Sequence, residues 1–198
     1  VLALVLALAA CGSSAPAAAT EAPAASTEAP AEDVSADKTF VVGICQLVQH
    51  PALDAATQGF KDALTEALGD KVTFQEQNAS GDSATCSLIC NQFVSDEVDL
   101  IMANATASIQ AAASATNTIP ILGTSITEYG VALGIDNFTG TVGGNISGTS
   151  DLAPLDQQAQ MIVDLFPSYK TVGLLYCSAE PNSQYQIKVV RTELERRG

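Results

Sequence analysis

The sequence predicts an α/β fold, a parallel sheet with helices on both faces, followed by the start of a second unit of the same kind. Three observations predict it. From Thr39 onward, short β-type apolar runs alternate with stretches whose apolar residues recur at helical spacing, the pattern of strand–helix–strand units. A polar stretch at 139–151, holding Gly140, Gly143, Gly144 and Gly148, then interrupts the alternation. Beyond it the alternation restarts.

Each element has its own signal. Residues 39–44 (TFVVGI) are an apolar strand. Pro51 suits a first helical turn, and Leu53, Ala56, Phe60, Leu64 and Leu68 repeat at helical spacing, so 51–68 is a helix stopped by Gly69. Residues 72–75 form a second strand. Asp82 or Ser83 caps a second helix, with Cys86, Ile89, Cys90, Phe93 and Val94 as its apolar stripe. A third strand at 98–103, an Ala-rich helix at 108–115, and strands at 119–122 and 131–135 complete a first lobe over 39–138. Residues 139–151 read as a connector. A helix at 152–166, a buried strand at 171–176 (TVGLLY) and a helix at 183–197 open a second lobe over 152–198, because one strand cannot make a sheet alone. Two such lobes form a hinged clamp that closes on a small ligand.

The first 38 residues carry a different message. Residues 1–10 (VLALVLALAA) are apolar without a break, too short to span a bilayer and matching part of a secretory signal peptide. Leu8-Ala9-Ala10-Cys11 looks like a bacterial lipobox, so Cys11 is the expected lipidation site. Residues 11–38 are rich in Ala, Pro, Ser, Thr and Glu and read as a disordered linker. The expected location is extracytoplasmic, anchored to the outer face of the cell membrane by a lipid on Cys11.

Eight bases against 22 acids give a net charge of −14. No basic cluster precedes the last helix, which argues against nucleic acid as a partner. Beyond Cys11 there are Cys45, Cys86, Cys90 and Cys177. Packing as small apolar residues, a disulfide (Cys45 to Cys177 included) and a metal at the 86/90 pair are the three readings, with packing foremost. The sequence holds no serine-nucleophile elbow, phosphate loop or metal-spaced His/Cys set, so no catalytic residue, metal or cofactor is expected. His50, the sole histidine, precedes a helix-starting proline and reads as a cap rather than a base.

In open parallel sheets, ligands bind beyond the carboxyl ends of the strands. The residues at those ends are hydroxyls, amides and carboxylates: Gln46, Asn104, Thr106, Ser125, Thr127, Ser150, Asp151, Glu180, Asn182 and Ser183. Placed donors and acceptors of this kind orient a small polar ligand.

Several blocks together resemble one family of ABC transporter substrate-binding lipoproteins, which includes tryptophan- and tyrosine-type binding proteins of Gram-positive bacteria. They are residues 42–54 (VGICQLVQHPALD), 120–127 (PILGTSIT), 144–151 (GNISGTSD), and 172–176 (VGLLY) with Asn182-Ser183. The resemblance implies a type I periplasmic-binding-protein fold, a small amino acid-like ligand with an aromatic amino acid as the first expectation, delivery to an ABC permease in the membrane, a monomer and no catalysis. The alternative is an extracellular ligand-sensing domain of a signalling receptor. Cys177 stands where the family usually has Asn, Glu128 where Asp is common, and no proline follows Thr106. These departures bear on ligand identity.

Overall fold

The computed structural model describes residues 38–197, which lie within one compact unit, Ala36–Gly198. Residues 1–10, expected as a signal segment, Cys11, the expected lipidation site, and the expected linker up to residue 37 lie outside the described residues.

Five strands make one sheet: β1 (Phe40–Gln46), β2 (Val72–Asn78), β3 (Leu100–Asn104), β4 (Ile121–Ile126) and β5 (Ile146–Ser150). Their order is β2-β1-β3-β4-β5, and every neighbouring pair is parallel. Parallel neighbours need a crossover between them. Helices α1 (Pro51–Leu68), α2 (Ser83–Ser95), α3 (Thr106–Ala115) and α4 (Tyr129–Leu133) lie in the four connections. This is the α/β class that the alternation predicts.

The two faces of the sheet bury separate cores. On one, Phe60, Leu64 and Leu68 of α1 pack on Val42, Ile44, Val72 and Met102. On the other, α2 and α3 set Ile89, Phe93, Ile109 and Ala112 against Cys45, Ile101, Ala103 and Ile121. Both faces of β1 are covered, which is why its sequence is a continuous apolar run. Phe93 lies against Gly43, where a Cβ would come within 2.6 Å of the ring. Burying that ring contributes roughly 1.5–3 kcal/mol, and only glycine at 43 leaves the space for it.

The structure departs from expectation in three elements. The strand expected at 131–135 is helix α4, because Glu128 caps its start with bonds to the N–H groups of Gly130 and Val131 and Gly134 ends it in the left-handed region. The stretch expected as a connector contains β5, which pairs with β4 and extends the sheet to Ser150. Of β5, only Ile146 joins the core, so this edge strand has no apolar run to reveal it. Residues 171–176 pair with no other strand among the described residues. Val172 and Leu174 pack into a third small core with Leu155 and Ala159 of α5 (Leu155–Leu165) and Val190 and Leu194 of α6 (Pro181–Arg197). Leu175, pointing the other way, is 98% exposed.

The four described cysteines are free, which removes the Cys45–Cys177 disulfide reading: Cys45 is buried inside β1 and Cys177 is exposed. Cys45 and Cys86 flank the Ser108 hydroxyl, with sulfur–oxygen distances of 3.6 and 3.7 Å. Contact with Cys86 favours the Cys45 thiolate, but contact with Cys90 and burial outweigh it and push Cys45 up to about 12. Hydrogen bonding to Cys45 and burial raise Cys86 as well. The cluster packs as neutral thiols.

Candidate functional site

The strand tips are tied to one another immediately past their carboxyl ends. Leu47 N donates to Asn104 O at 3.2 Å, Ala79 N to Gln46 O at 2.9 Å, Gly81 N to Leu47 O at 2.7 Å and Ala105 N to Thr124 O at 3.0 Å. These bonds join the exits of β1, β2, β3 and β4 into one platform.

Beneath the platform lies a buried amide knot. The Gln46 side chain, on a residue 4% exposed, donates to Val48 O at 2.9 Å and to Asp54 Oδ1 at 2.6 Å. Its Oε1 accepts from Thr57 Oγ1 at 2.7 Å. Asn104, fully buried, donates through Nδ2 to Leu53 O at 2.9 Å, to Thr57 Oγ1 at 3.0 Å and weakly to Gln46 Oε1 at 3.5 Å. The knot fixes the first two turns of α1 against the ends of β1 and β3. Gln46 and Asn104, both expected at the site, therefore form its foundation. The Asn104 Oδ1 is buried without a partner.

Above them is a cavity of about 420 Å³, within the range that holds a small ligand. Thr106, Ser125, Glu180 and Asn182, four of the expected residues, line it together. Leu47, Val48 and Leu53 give it an apolar wall, and Cys177, Ala179 and Pro181 lie on the side of segment 177–182, which is the loop before α6 and the first residues of that helix. Two lining residues, Ala105 (φ 89°) and Ser125 (φ 56°), hold a backbone conformation unusual for a residue with a Cβ, and such strain gathers at binding sites. The Asn182 Oδ1 is also buried without a partner. Helix α3 opens on this cavity from Ala105, which supplies no side-chain cap, so the first N–H groups of the helix remain free for other acceptors. In contrast α1, α2 and α4 are capped by His50, Asp82 and Glu128. His50 takes the capping role the sequence suggests, its Nδ1 accepting from Ala52 N at 3.2 Å.

Thr127, Ser150, Asp151 and Ser183 are not in the cavity wall. Ser150 Oγ donates to Thr127 O at 2.8 Å and accepts from Leu152 N at 3.2 Å, while Asp151 N donates to Ile126 O at 3.0 Å. This lacing continues through Tyr129, whose hydroxyl reaches Gly123 O at 3.1 Å and Thr149 O at 3.2 Å. Burial, and then the charge of Asp151, raises the Tyr129 phenol to about 12, so it acts as a neutral donor. Ser183 Oγ accepts from Cys177 N at 3.0 Å and shapes the loop. Leu47, Val48, Leu53 and Gln110 line the cavity without having been singled out as site residues in the sequence, whereas Cys177, noted there as a departure from the family pattern, lines it too. The apolar ones carried only a core signal.

Comparison with known proteins places this geometry. The family described as "ABC transporter substrate binding protein" matches residues 41–198. The chain is 42% identical over 149 residues to a tyrosine-binding protein of Clostridioides difficile (strain R20291), covering 74% of this chain and 43% of that protein. Among solved structures it is similar to the ABC domain in complex with L-Trp from Streptococcus pneumonia, at 34% identity and a TM-score of 0.74, covering 81% of this chain and 55% of the other. It is also similar to the ligand-free, open structure of a substrate-binding protein with adhesive properties from Clostridium difficile, at 38% identity and a TM-score of 0.62, again over 81% and 55%. The chain thus spans about half the length of these relatives or less.

Proposed function

The chain belongs to the ABC transporter substrate-binding protein family, and on that premise we propose that the whole protein is the receptor of an importer for an amino acid, aromatic by preference. It binds the solute between two lobes, the second opening at α5, and presents the loaded form to a membrane permease. It performs no reaction on the solute. The observation that carries this reading is the cavity at the carboxyl ends of β1, β3 and β4, facing the segment 177–182 that leads into α6. Sheet tips form one wall and that segment the other, so a relative movement of the two opens or closes it. Closure would expel water and strengthen every polar contact inside. The apolar wall of Leu47, Val48 and Leu53 suits a hydrophobic side chain, and the relatives' names, tyrosine-binding and L-Trp-bound, agree with it.

The lipid on Cys11 would hold the receptor at the outer face of the membrane, where a monomer on a flexible linker can reach its permease. Isothermal titration of the whole protein against the common amino acids, sugars and nucleosides tests the function. Heat with tyrosine or tryptophan is expected, and silence across the panel would refute it. Labelled fatty acid should enter the wild type and not Cys11→Ala.

A further inference from the structure

We propose that Cys45 and Cys86 are a redox pair that closes into a disulfide between β1 and α2 when the protein folds in the presence of a small disulfide oxidant. The inference goes beyond the solute-binding reading and does not depend on it. Cys45, Cys86, Cys90 and Ser108 are all 0% exposed, and they come from three elements, β1, α2 and α3. The Cys45 thiol donates to Ser108 Oγ at 3.6 Å, and the Cys86 sulfur lies 3.7 Å from the same oxygen. The Cys45 thiol is also in direct hydrogen-bonding contact with Cys86 and with Cys90. A cysteine can pack as a small apolar residue, but packing alone does not require three sulfurs to meet. Cys86 and Cys90 share one helix, so a bond that includes Cys45 is the one that ties separate elements together. Cys86 is its partner because the two sulfurs flank one hydroxyl. The bond lies directly behind the cavity rim: Leu47, two positions beyond Cys45, and Ser83, three before Cys86, both line the cavity.

Substrate-binding proteins of ABC transporters work outside the cytoplasm, where disulfides form and persist. The oxidant is a small disulfide such as oxidised glutathione. One cysteine attacks it as the thiolate, forms a mixed disulfide and releases one small thiol. The other cysteine then attacks the protein sulfur of that mixed disulfide and releases the second small thiol. One S–S bond forms in the protein, one is lost from the oxidant, and the two cysteine protons end on the released thiols. Burial keeps the folded cluster protonated, with Cys45 pushed up to about 12, and the thiolate is the attacking form. The reaction therefore runs as α2 settles onto β1, before the cluster is sealed, and the native cluster reacts slowly.

The test unfolds and reduces the whole protein, then refolds it in mixtures of reduced and oxidised glutathione. Peptide mapping without reductant should find Cys45 joined to Cys86, with Cys90 outside the bond. The link should be absent from Cys45→Ala and from Cys86→Ala and should persist in Cys90→Ala. The linked form should have a folding equilibrium constant about 30- to 1000-fold larger than the reduced form, the range for a native disulfide, and dithiothreitol should remove that gain. The wild-type map decides by itself if a variant fails to fold. Absence of a Cys45–Cys86 link at every glutathione ratio overturns the inference, as does a link from Cys45 to another cysteine in its place, or a linked form less stable than the reduced one. All three results leave the solute-binding reading standing, and failure of the protein to bind any solute leaves the disulfide standing.

Discussion

Replacing Asn104 by alanine removes the donor shared by Leu53 O, Thr57 Oγ1 and Gln46 Oε1. Buried acceptors left unpaired cost roughly 1–3 kcal/mol, so Asn104→Ala should lower unfolding free energy by about 2–3 kcal/mol in urea titrations. A loss under about 0.5 kcal/mol would show that the knot holds nothing. The thiols give a second expectation at this scale. Of the four described cysteines, native protein should present only Cys177 to a maleimide, with Cys45, Cys86 and Cys90 modified after unfolding; mass mapping of the labelled peptides reads it directly. Rapid labelling of Cys86 without denaturant would contradict the buried, neutral cluster. The sequence did place hydroxyls, amides and carboxylates at the strand ends. It could not say which of them face the cavity, because that is decided by partners far along the chain: Asn104 bonds Leu53, 51 residues away.

At the scale of elements, what was legible depended on length. Helix α1, with five periodic apolar positions and Pro51 at its start, was read to its observed ends. The five-residue elements α4 and β5 were misread, since a single turn or a polar edge strand shows no period. Capping by Glu128 and pairing with β4 decide them, and neither is visible as a pattern. Gly148 shows how tight the second contact is: a Cβ there would meet Gly123 O at 2.2 Å and the Tyr129 hydroxyl at 2.3 Å. The lacing around Ser150 is the last fixed point before the chain passes to α5. Ser150→Ala deletes both the bond to Thr127 O and that from Leu152 N, and a stability loss of about 1 kcal/mol is expected by thermal or urea unfolding. If the lobes pivot here, solute affinity should shift although Ser150 is not in the cavity wall. Unchanged stability and affinity together would remove Ser150 from the hinge.

For the molecule as a whole, acid is a sensitive probe. The Lys38 ammonium, 2.6 Å away, and the Val41 N–H hold the Asp99 carboxyl below the usual carboxylate range. A carboxylate depressed in the folded state stabilises above its unfolded pKa of about 3.9. That stability disappears as pH falls through the folded value. Asp99 is about a quarter exposed and the pair is screened by solvent, so its share at neutral pH is about 0.5–1 kcal/mol. Asp99→Asn should therefore lower Tm at pH 7 and converge with wild type near pH 2–3; parallel curves at all pH values would show that the pair is unimportant.

The strand order has a consequence for how the chain comes to exist. β1 is the first of the strands to leave the ribosome, yet one of its edges stays empty until β3 arrives: Val42 pairs with Leu100. At about 5–20 residues per second, that gap amounts to several seconds of translation. During this interval the most apolar ribbon of the chain has at most β2 beside it. The sheet therefore cannot close around β1 until the chain has been made as far as β3.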